Sequence, residues 1–483
     1  MKTDRREFIK LAGVAGTGVM TTAMLPANAT GVTAINGSFM HTEKALEQQH
    51  KQQFNMCGYA APRLEVVRIG LIGIGSRGLS AVRRLRLIEG VELRAVCDLY
   101  QDRIDLAQQS LQEAGLPSAK GYTGNAEIWQ ELVQRNDLDL IYICTPRGTH
   151  AKMALLAMET GKHAATEMPA MSTVAEGWQL VATSEKTRKH CMMLENCCYD
   201  FFELLILNMV RQGLFGEIVH VEGGYIHDQL EMNFKKNLTS GMWRLKESQH
   251  RKGNLYPTHG LGPLCQVLNV NRGDRMAYLT STSTDDFMMG KKAAELARQD
   301  EWYREFDTNS YRGNMNTSVI RSERGKTIML QYDITSPRPY SRLQLVSGTK
   351  GMSLKYPEPP RIALGDEWLS EEKMKEVWEK YTPEIVRRVG DMAKKVGGHG
   401  GMDFLMDWRL IDCLRNGLPL EQDVYDAACW SSIVPLSEWS VANGSAPILV
   451  PDFTCGSYKT NAPLDLGVFK GGDTGMRELP KKG

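Results

Sequence analysis

Arg68-Ile-Gly-Leu-Ile-Gly-Ile-Gly-Ser-Arg-Gly78, continued by a helical run and then by Val91-Glu-Leu-Arg-Ala-Val-Cys-Asp98, is the stretch that decides the fold. Glu65 to Ile72 is apolar and β-branched and reads as a buried strand. It ends in Gly73-x-Gly75-x-x-Gly78, and Arg77 to Ile88 continues at helical period. Gly73 permits a tight turn, Gly75 lets the backbone approach a pyrophosphate, and Gly78 lets the helix pack on the strand. Amides at the helix start, at Ser76 and Arg77, then face the phosphates. Asp98 lies roughly 20 residues beyond the glycines, where a carboxylate accepts both ribose hydroxyls and repels a 2′-phosphate. The predicted cofactor is therefore NAD rather than NADP.

Downstream, strands and helices alternate. Asp102 to Ala114 and Ile128 to Arg135 read as helices, and Leu138 to Cys144 as a buried strand that runs into Thr145-Pro-Arg147-Gly148-Thr149-His150. That loop sits at the carboxyl end of a strand, where open α/β sheets bind ligands. Ala151 to Thr160 reads as a helix, Lys162 to Ala170 as strand and turn, Glu176 to Arg188 as a helix and Cys191 to Asn196 as a strand. This alternation predicts an α/β fold whose doubly wound parallel sheet spans residues 64–196.

The 58 basic and 57 acidic residues nearly cancel, which gives no footprint for nucleic acid or an anionic membrane. A length of 483 allows two or three domains. Residues 1–29 read as a leader: Asp4-Arg5-Arg6-Glu7-Phe8-Ile9-Lys10 resembles the twin-arginine signal, and a small-residue apolar run leads to Ala27-Asn28-Ala29. The run is too short and too weakly apolar to span a bilayer. Export of an already folded chain suits an enzyme that must acquire its dinucleotide in the cytoplasm, so the periplasm or the exterior is the expected location. Residues 30–63 are polar and Gln-rich, with a short helix expected over Glu43–Phe54, and read as a linker or a packed arm. The ten cysteines include no CxxC pair, and Cys97, Cys144 and Cys265 read as buried thiols rather than a disulfide or zinc framework.

The glycine motif, the strand ending Cys144-Thr-Pro with His150 beyond it, and the Glu167-x-Pro169 turn resemble the glucose-fructose oxidoreductase/inositol dehydrogenase superfamily. The resemblance implies a second α+β domain, residues 197–483, built on a large, mostly antiparallel sheet with one open face. Gly216–Tyr225, Thr317–Ser322, Thr327–Thr335, Ser341–Ser347 and Met352–Tyr356 read as its strands, and Gly348–Gly351 as a turn. Relatives associate through the open face, which makes a homo-oligomer possible, although the sequence does not give the oligomeric state. Dehydrogenases of the superfamily carry Glu-Lys-Pro, whose lysine moves a proton. Met168 stands there instead and cannot.

Thr166-Glu167-Met168-Pro169-Ala170, Glu195-Asn196-Cys-Cys-Tyr199, Gly224-Tyr225-Ile-His-Asp228, Trp243-Arg244, Tyr256-Pro257-Thr258-His259, Ser336-Pro-Arg-Pro-Tyr340 and Gly397-Gly-His-Gly-Gly-Met-Asp403 resemble glycoside hydrolase family 109. That resemblance implies an NAD-dependent N-acetylgalactosaminidase that cleaves, with α linkage expected, without net redox. C3 is oxidised transiently, the C2 proton becomes acidic, the C1 substituent leaves, water adds, and the ketone is reduced again. For NAD the family implies Gly73, Gly75, Ser76, Arg77, Gly78, Asp98, Arg147, Gly148, Thr149, His150, Glu167, Met168, Asn196 and Tyr256. For the sugar it implies Tyr225, Arg244, Tyr256, Pro257, Thr258, His259 and Tyr340.

Four residues are candidate acid/base groups. Tyr256 and His259 are assigned the C3 and leaving-group protons, and Tyr199 with Glu167 the C2 proton. Histidine titrates near neutrality, whereas tyrosine needs a neighbouring cation to act as a base. Two other readings stand beside this: an exported sugar oxidoreductase of the same superfamily, and a non-catalytic sugar-binding protein. Tyr225 can be read as packing and His259 as a turn cap. His399 and Asp403 resemble a metal pair on one helix face, but the flanking glycines read as a loop and no third ligand is evident, so no metal is expected; whether the pair lines the sugar pocket instead is left open by the sequence. Glu371–Lys380 reads as a solvated helix face and Phe287–Met289 as core.

Overall fold

Val67–Ile72 forms β1 because its β-branched residues are covered from both sides of a central strand. The computed structural model describes residues 50–236, 242–464 and 471–478. After β1 come α1 (Ser76–Leu85), β2 (Val91–Cys97), α2 (Gln101–Glu113), β3 (Lys120–Tyr122), α3 (Trp129–Val133) and β4 (Leu140–Ile143). Then follow α4 (His150–Glu159), β5 (His163–Thr166), α5 (Val174–Thr187) and β6 (Cys191–Met193). The six strands pair in parallel in the order β3-β2-β1-β4-β5-β6. The order reverses beside β1, which puts a crevice at the carboxyl ends of β1 and β4. Ile69, Leu71, Val82, Leu85, Ile141 and Ile143 fill the layer beneath it, each fully buried. Burial of each such side chain stabilises by about 1.5–3 kcal/mol.

Past α6 (Phe201–Arg211) the chain enters a second sheet with β7 (Ile218–Ile226). Helices α7 (Trp243–His250) and α8 (Thr258–Leu268) precede β8 (Met276–Ser283), α9 (Met289–Gln299), β9 (Asn316–Ser322), β10 (Thr327–Asp333), β11 (Ser341–Gly348), β12 (Gly351–Leu354) and β13 (Arg361–Leu364). Then come α10 (Glu371–Tyr381), α11 (Glu384–Val396), α12 (Met402–Asn416), α13 (Val424–Ser431), α14 (Ile433–Ala442) and β14 (Ile448–Leu449). The order β13-β12-β11-β7-β10-β9-β8-β14 is antiparallel except at β7–β10. Helix α8 crosses β7 so closely that a Cβ on Gly260 would lie 2.3 Å from the Gly224 nitrogen. A Cβ on Gly223 would in turn lie 2.6 Å from the Gly260 oxygen, so Gly223 and Gly260 must be glycine, and the contact brings the start of α8 over the end of β7.

The predicted strands of the second sheet are present, and β8, β13 and β14 join them. Residues 50–54 are not helical, and the rest of the expected Glu43–Phe54 helix lies outside the described residues, as does the leader. The end of that segment is a packed arm rather than a free linker. Gln52 donates to the Tyr425 hydroxyl at 2.8 Å, the Gln53 amide to Glu185 at 2.9 Å, and Met56 is buried. The Phe287–Met289 expectation holds for Met289, fully buried, and fails for Phe287, which is 58% exposed. Cys97 and Cys265 are buried as expected, while Cys144 is half-buried.

The two sheets share one core, and buried charge crosses between them. Arg84 of α1 donates to Asp407 of α12 at 2.6 Å, and the Tyr142 hydroxyl of β4 meets the other oxygen of that carboxylate at 2.7 Å. All three are buried.

Candidate active site

The glycine turn between β1 and α1 is built for a phosphate. A Cβ on Gly73, whose φ is +89°, would stand 2.8 Å from the Cys144 carbonyl, and one on Gly78 would stand 1.8 Å from the Gly73 oxygen. Gly75 caps α1 without any side-chain hydrogen bond, and the first turn holds no acid. The amides there keep their donors for an anion. Asp98 closes the turn by accepting the Ile74 amide at 2.7 Å and the Tyr100 amide at 3.1 Å, one on each carboxylate oxygen. Each oxygen retains a lone pair for a ribose hydroxyl. An open helix end beside a fixed acid fits NAD.

Arg77, one residue into α1, carries the site toward the second sheet. Its Nε donates to Glu167 at 2.8 Å and its Nη1 to Asp403 at 2.8 Å. Glu167 follows β5, Asn196 follows β6, and Asp403 opens α12. Asn196 donates to the second Asp403 oxygen, and His399 meets the first at 2.9 Å. Burial works against the Asp403 charge, but His399, Arg77 and Arg84 outweigh it and hold the carboxyl far below its usual range. Met168, next in the chain to Glu167, is buried and offers no proton.

Across from it, aromatic rings line a pocket. Tyr225 on β7 lies with its ring 4.7 Å from Tyr256, 5.5 Å from His259 and 6.2 Å from Tyr340. Tyr256 and His259 flank the start of α8, their rings edge-on at 4.8 Å. His227, two residues beyond Tyr225 on the same side of the chain, packs edge-on against Tyr340 at 5.1 Å and accepts from the Tyr225 hydroxyl at 3.1 Å. Sugar C–H faces stack on such rings. Arg244 lies over Trp243 at 4.6 Å and pulls the Tyr225 and Tyr256 hydroxyls toward ionisation. Burial wins at both. Tyr225 is pushed up to about 12 and Tyr256 higher still. Tyr256 is thereby a hydrogen-bond donor at neutral pH.

His259 has a carboxylate partner, Glu195, that was missing from the predicted site. His259 Nδ1 meets the Glu195 carboxylate at 2.7 Å. Glu195 is fully buried; burial opposes its charge, but His259 outweighs that and keeps its pKa low. An ionised carboxylate can only accept, so Nδ1 carries the proton and Nε2 is the free acceptor. The pair has the logic of an oriented general base: the carboxylate fixes the tautomer and stabilises the imidazolium. Glu195, Cys197 and His259 present ligand atoms within 4.8 Å of one another, as a metal site would. Burial keeps the Cys197 thiol protonated, however, and the imidazole is committed to the carboxylate.

Several predicted residues are placed otherwise. The Tyr199 hydroxyl donates to Glu421 at 2.8 Å, in a buried group with Arg409, and burial raises its pKa strongly. It does not join the cluster around Tyr256. Arg147 turns away from the glycine turn: it donates to the Leu255 carbonyl at 2.7 Å, pairs with Glu247 at 3.0 Å and stacks between Trp243 and Tyr256. Its charge lies beside the aromatic pocket, against the Tyr256 ring. Both ring nitrogens of His150 face backbone carbonyls, of Pro169 at 2.8 Å and of Thr145 at 2.7 Å, so that side chain shapes the loop. Gly148 and Thr149 form the single turn that precedes α4, and the Thr149 hydroxyl donates to Pro146. Pro257 caps α8 and Thr258 opens it, fully buried beneath the pocket.

A parallel nucleotide sheet beside an aromatic pocket with a carboxylate-oriented histidine defines an NAD-binding enzyme. Residues 67–195 match the oxidoreductase family with NAD-binding Rossmann fold, and residues 199–460 match the glycosyl hydrolase 109, C-terminal domain. The alpha-N-acetylgalactosaminidase of Bacteroides fragilis is 48% identical over 413 residues, 84% of this chain and 96% of that one. A glycosyl hydrolase family 109 protein of Shewanella pealeana is 41% identical over 473 residues, 96% of this chain and 99% of that one. The chain belongs to glycoside hydrolase family 109. Among solved structures, levoglucosan dehydrogenase in complex with NADH superimposes with a TM-score of 0.60 at 14% identity over 80% of this chain and 99% of that one. An NAD-binding oxidoreductase from Klebsiella pneumoniae gives 0.59 at 17% identity over 80% and 99%. These two share the fold.

Proposed function

We propose that this enzyme hydrolyses terminal N-acetylgalactosaminides, α-linked, through transient oxidation at C3 and elimination across C1–C2. The observation that carries the reading is the His259–Glu195 base facing an aromatic pocket while Met168 stands where superfamily dehydrogenases hold a lysine. Bound NAD, held by the glycine turn and Asp98, supplies a hydride acceptor that is restored within each cycle. His259 Nε2 takes the C3 hydroxyl proton, and Tyr256 with Arg244 donates to the developing carbonyl oxygen. Glu167, one oxygen fixed by Arg77, is the carboxylate left for the C2 proton, since Tyr199 lies elsewhere. Tyr225 and Tyr340 hold the sugar face, and Arg244 suits the N-acetyl carbonyl. We place the enzyme outside the cytoplasm on the strength of the twin-arginine leader. A cofactor recycled in place suits a compartment without an NAD pool.

The test is a panel of α- and β-linked nitrophenyl glycosides of N-acetylgalactosamine, galactose and N-acetylglucosamine in heavy water. Release of nitrophenol from the α-N-acetylgalactosaminide, deuterium at C2 of the product and no accumulating NADH are the expected results. Accumulation of NADH with unlabelled sugar would instead establish the oxidoreductase reading that the dehydrogenase-like fold suggests.

A further inference from the structure

Tyr340, on one side of the aromatic pocket, is joined to a buried group of four charges that the mechanism above leaves unused. Arg342 on β11 is fully buried; its Nη1 donates to the Tyr340 hydroxyl at 3.2 Å, and its Nη2 donates to Asp200 at 3.2 Å and to Glu203. Lys355, just past β12, pairs with the same two carboxylates, 3.2 Å from that of Glu203. Asp200 caps α6 by accepting the Phe202 and Glu203 amides. The Tyr356 ring faces both cations, 5.6 Å from the guanidinium and 5.5 Å from the ammonium, and meets Tyr340 edge-on at 5.8 Å. A second lysine would balance the charge of the two acids equally well. What a guanidinium adds is a fork with donors to spare, and one of them reaches the phenol.

The backbone is bent beside that contact. From Leu343 to Leu345, β11 advances two residues while β7 advances one, from Gly223 to Glu222. In this bulge Leu343 and Gln344 hold φ at +59° and +57°, a region that side chains other than glycine seldom enter. Bulges of this kind re-aim side chains next to functional sites. The bend also brings in the neighbours of Arg342. The Lys355 amide donates to the Gln344 carbonyl at 3.2 Å and the Tyr356 amide to the Leu343 carbonyl at 3.2 Å.

A guanidinium can only donate, so it occupies a lone pair of the Tyr340 oxygen and the phenolic proton has to point elsewhere. Burial pushes the Tyr340 pKa above its ordinary value, with Arg342 working against that, and the hydroxyl keeps its proton at neutral pH. Among the described residues nothing accepts this proton, and Tyr340 is 38% exposed beside Tyr225 and His227. We propose that Arg342 is a positioning residue for the sugar, which makes the Tyr340 hydroxyl a one-way donor toward a sugar oxygen. This rests on the reading of Tyr340 as a sugar contact given above. Through Asp200 the same guanidinium is tied to the end of the turn that carries Glu195 and Asn196, so the donor is held in register with the His259 base. No proton is transferred, and the contribution falls on binding rather than on the chemical step.

The experiment is a double-mutant cycle on the full-length, NAD-loaded enzyme with 4-nitrophenyl α-N-acetylgalactosaminide. Tyr340→Phe removes the hydroxyl, and Arg342→Lys keeps the charge while losing the fork. Each should raise KM by about 3- to 10-fold with kcat within about 2-fold of wild type, and the two together should cost no more than Tyr340→Phe alone. Melting temperatures check the fold. Should Arg342→Lys fail to fold, Arg342→Gln combined with Glu203→Gln takes its place in the cycle, because it removes one charge of each sign and leaves Lys355 paired with Asp200. An Arg342 change that costs the same with and without the Tyr340 hydroxyl marks a purely structural role and would overturn the proposal, as would an unchanged KM in the Arg342 variant. A Tyr340→Phe enzyme with wild-type KM would remove Tyr340 from the sugar site, and the proposal with it, while the glycosidase reading stands. A wild-type enzyme that frees no nitrophenol would overturn both.

Discussion

Glu195 illustrates what one side chain does at this site. It touches no substrate position, yet it decides which nitrogen of His259 is basic. Glu195→Gln removes the charge that stabilises the imidazolium while keeping the shape. We expect kcat to fall about 100-fold with KM changed little. Steady-state kinetics on the nitrophenyl substrate, with NAD titration as the control, checks this. At this scale the sequence reading was uneven. Tyr225, Tyr256, His259 and Tyr340 do converge, and Tyr199 does not. Its motif neighbours Asn196 and Glu195 face the site, but a tight turn of helix after β6 rotates Tyr199 toward Glu421. The Glu195–His259 pair spans 64 residues, so no local pattern could reveal it. His227 was legible in principle, because residues two apart on a strand share a face.

Elements were readable where one physical rule dominated. Central parallel strands, covered on both faces, announce themselves as continuous apolar runs, and the glycine turn follows from its spacing. Strand β8 escaped because Met276–Ser283 is half Ser and Thr and exposes part of one face, and β14 because two residues carry no period. Helix α8 was blurred by its entry through Pro257 and by Pro263 within it. The glycine turn supports a prediction at this scale. Gly78→Ala drives a methyl into the Gly73 carbonyl, forcing α1 off β1. Thermal unfolding should show a loss of at least about 2 kcal/mol. Fluorescence titration with NADH should show dinucleotide binding reduced more than tenfold, because the helix end moves with the turn.

The whole molecule carries a pH dependence of stability that its catalytic groups do not set. His163 and His190 are stacked at 5.2 Å inside the first sheet, and the His190 amide donates to His163 Nδ1. Burial, reinforced by Lys189, lowers both, His190 to about 4. Protons therefore bind the unfolded chain more tightly than the folded one. The stabilisation is complete above about pH 6.5 and is lost as pH falls toward 4. For His190 alone the linkage amounts to about 3 kcal/mol. Melting temperatures at pH 7 and pH 5 should differ by several degrees, and His190→Phe, which keeps the stacking, should narrow that gap.

The contact of Arg84 with Asp407 and Tyr142 bears on how the gene can be divided. A cut between the two sheets leaves a guanidinium in an apolar wall on one fragment and a bare carboxylate on the other. The nucleotide half is for that reason not a portable module, despite its familiar outline. It acquires a finished surface only when the rest of the polypeptide folds against it.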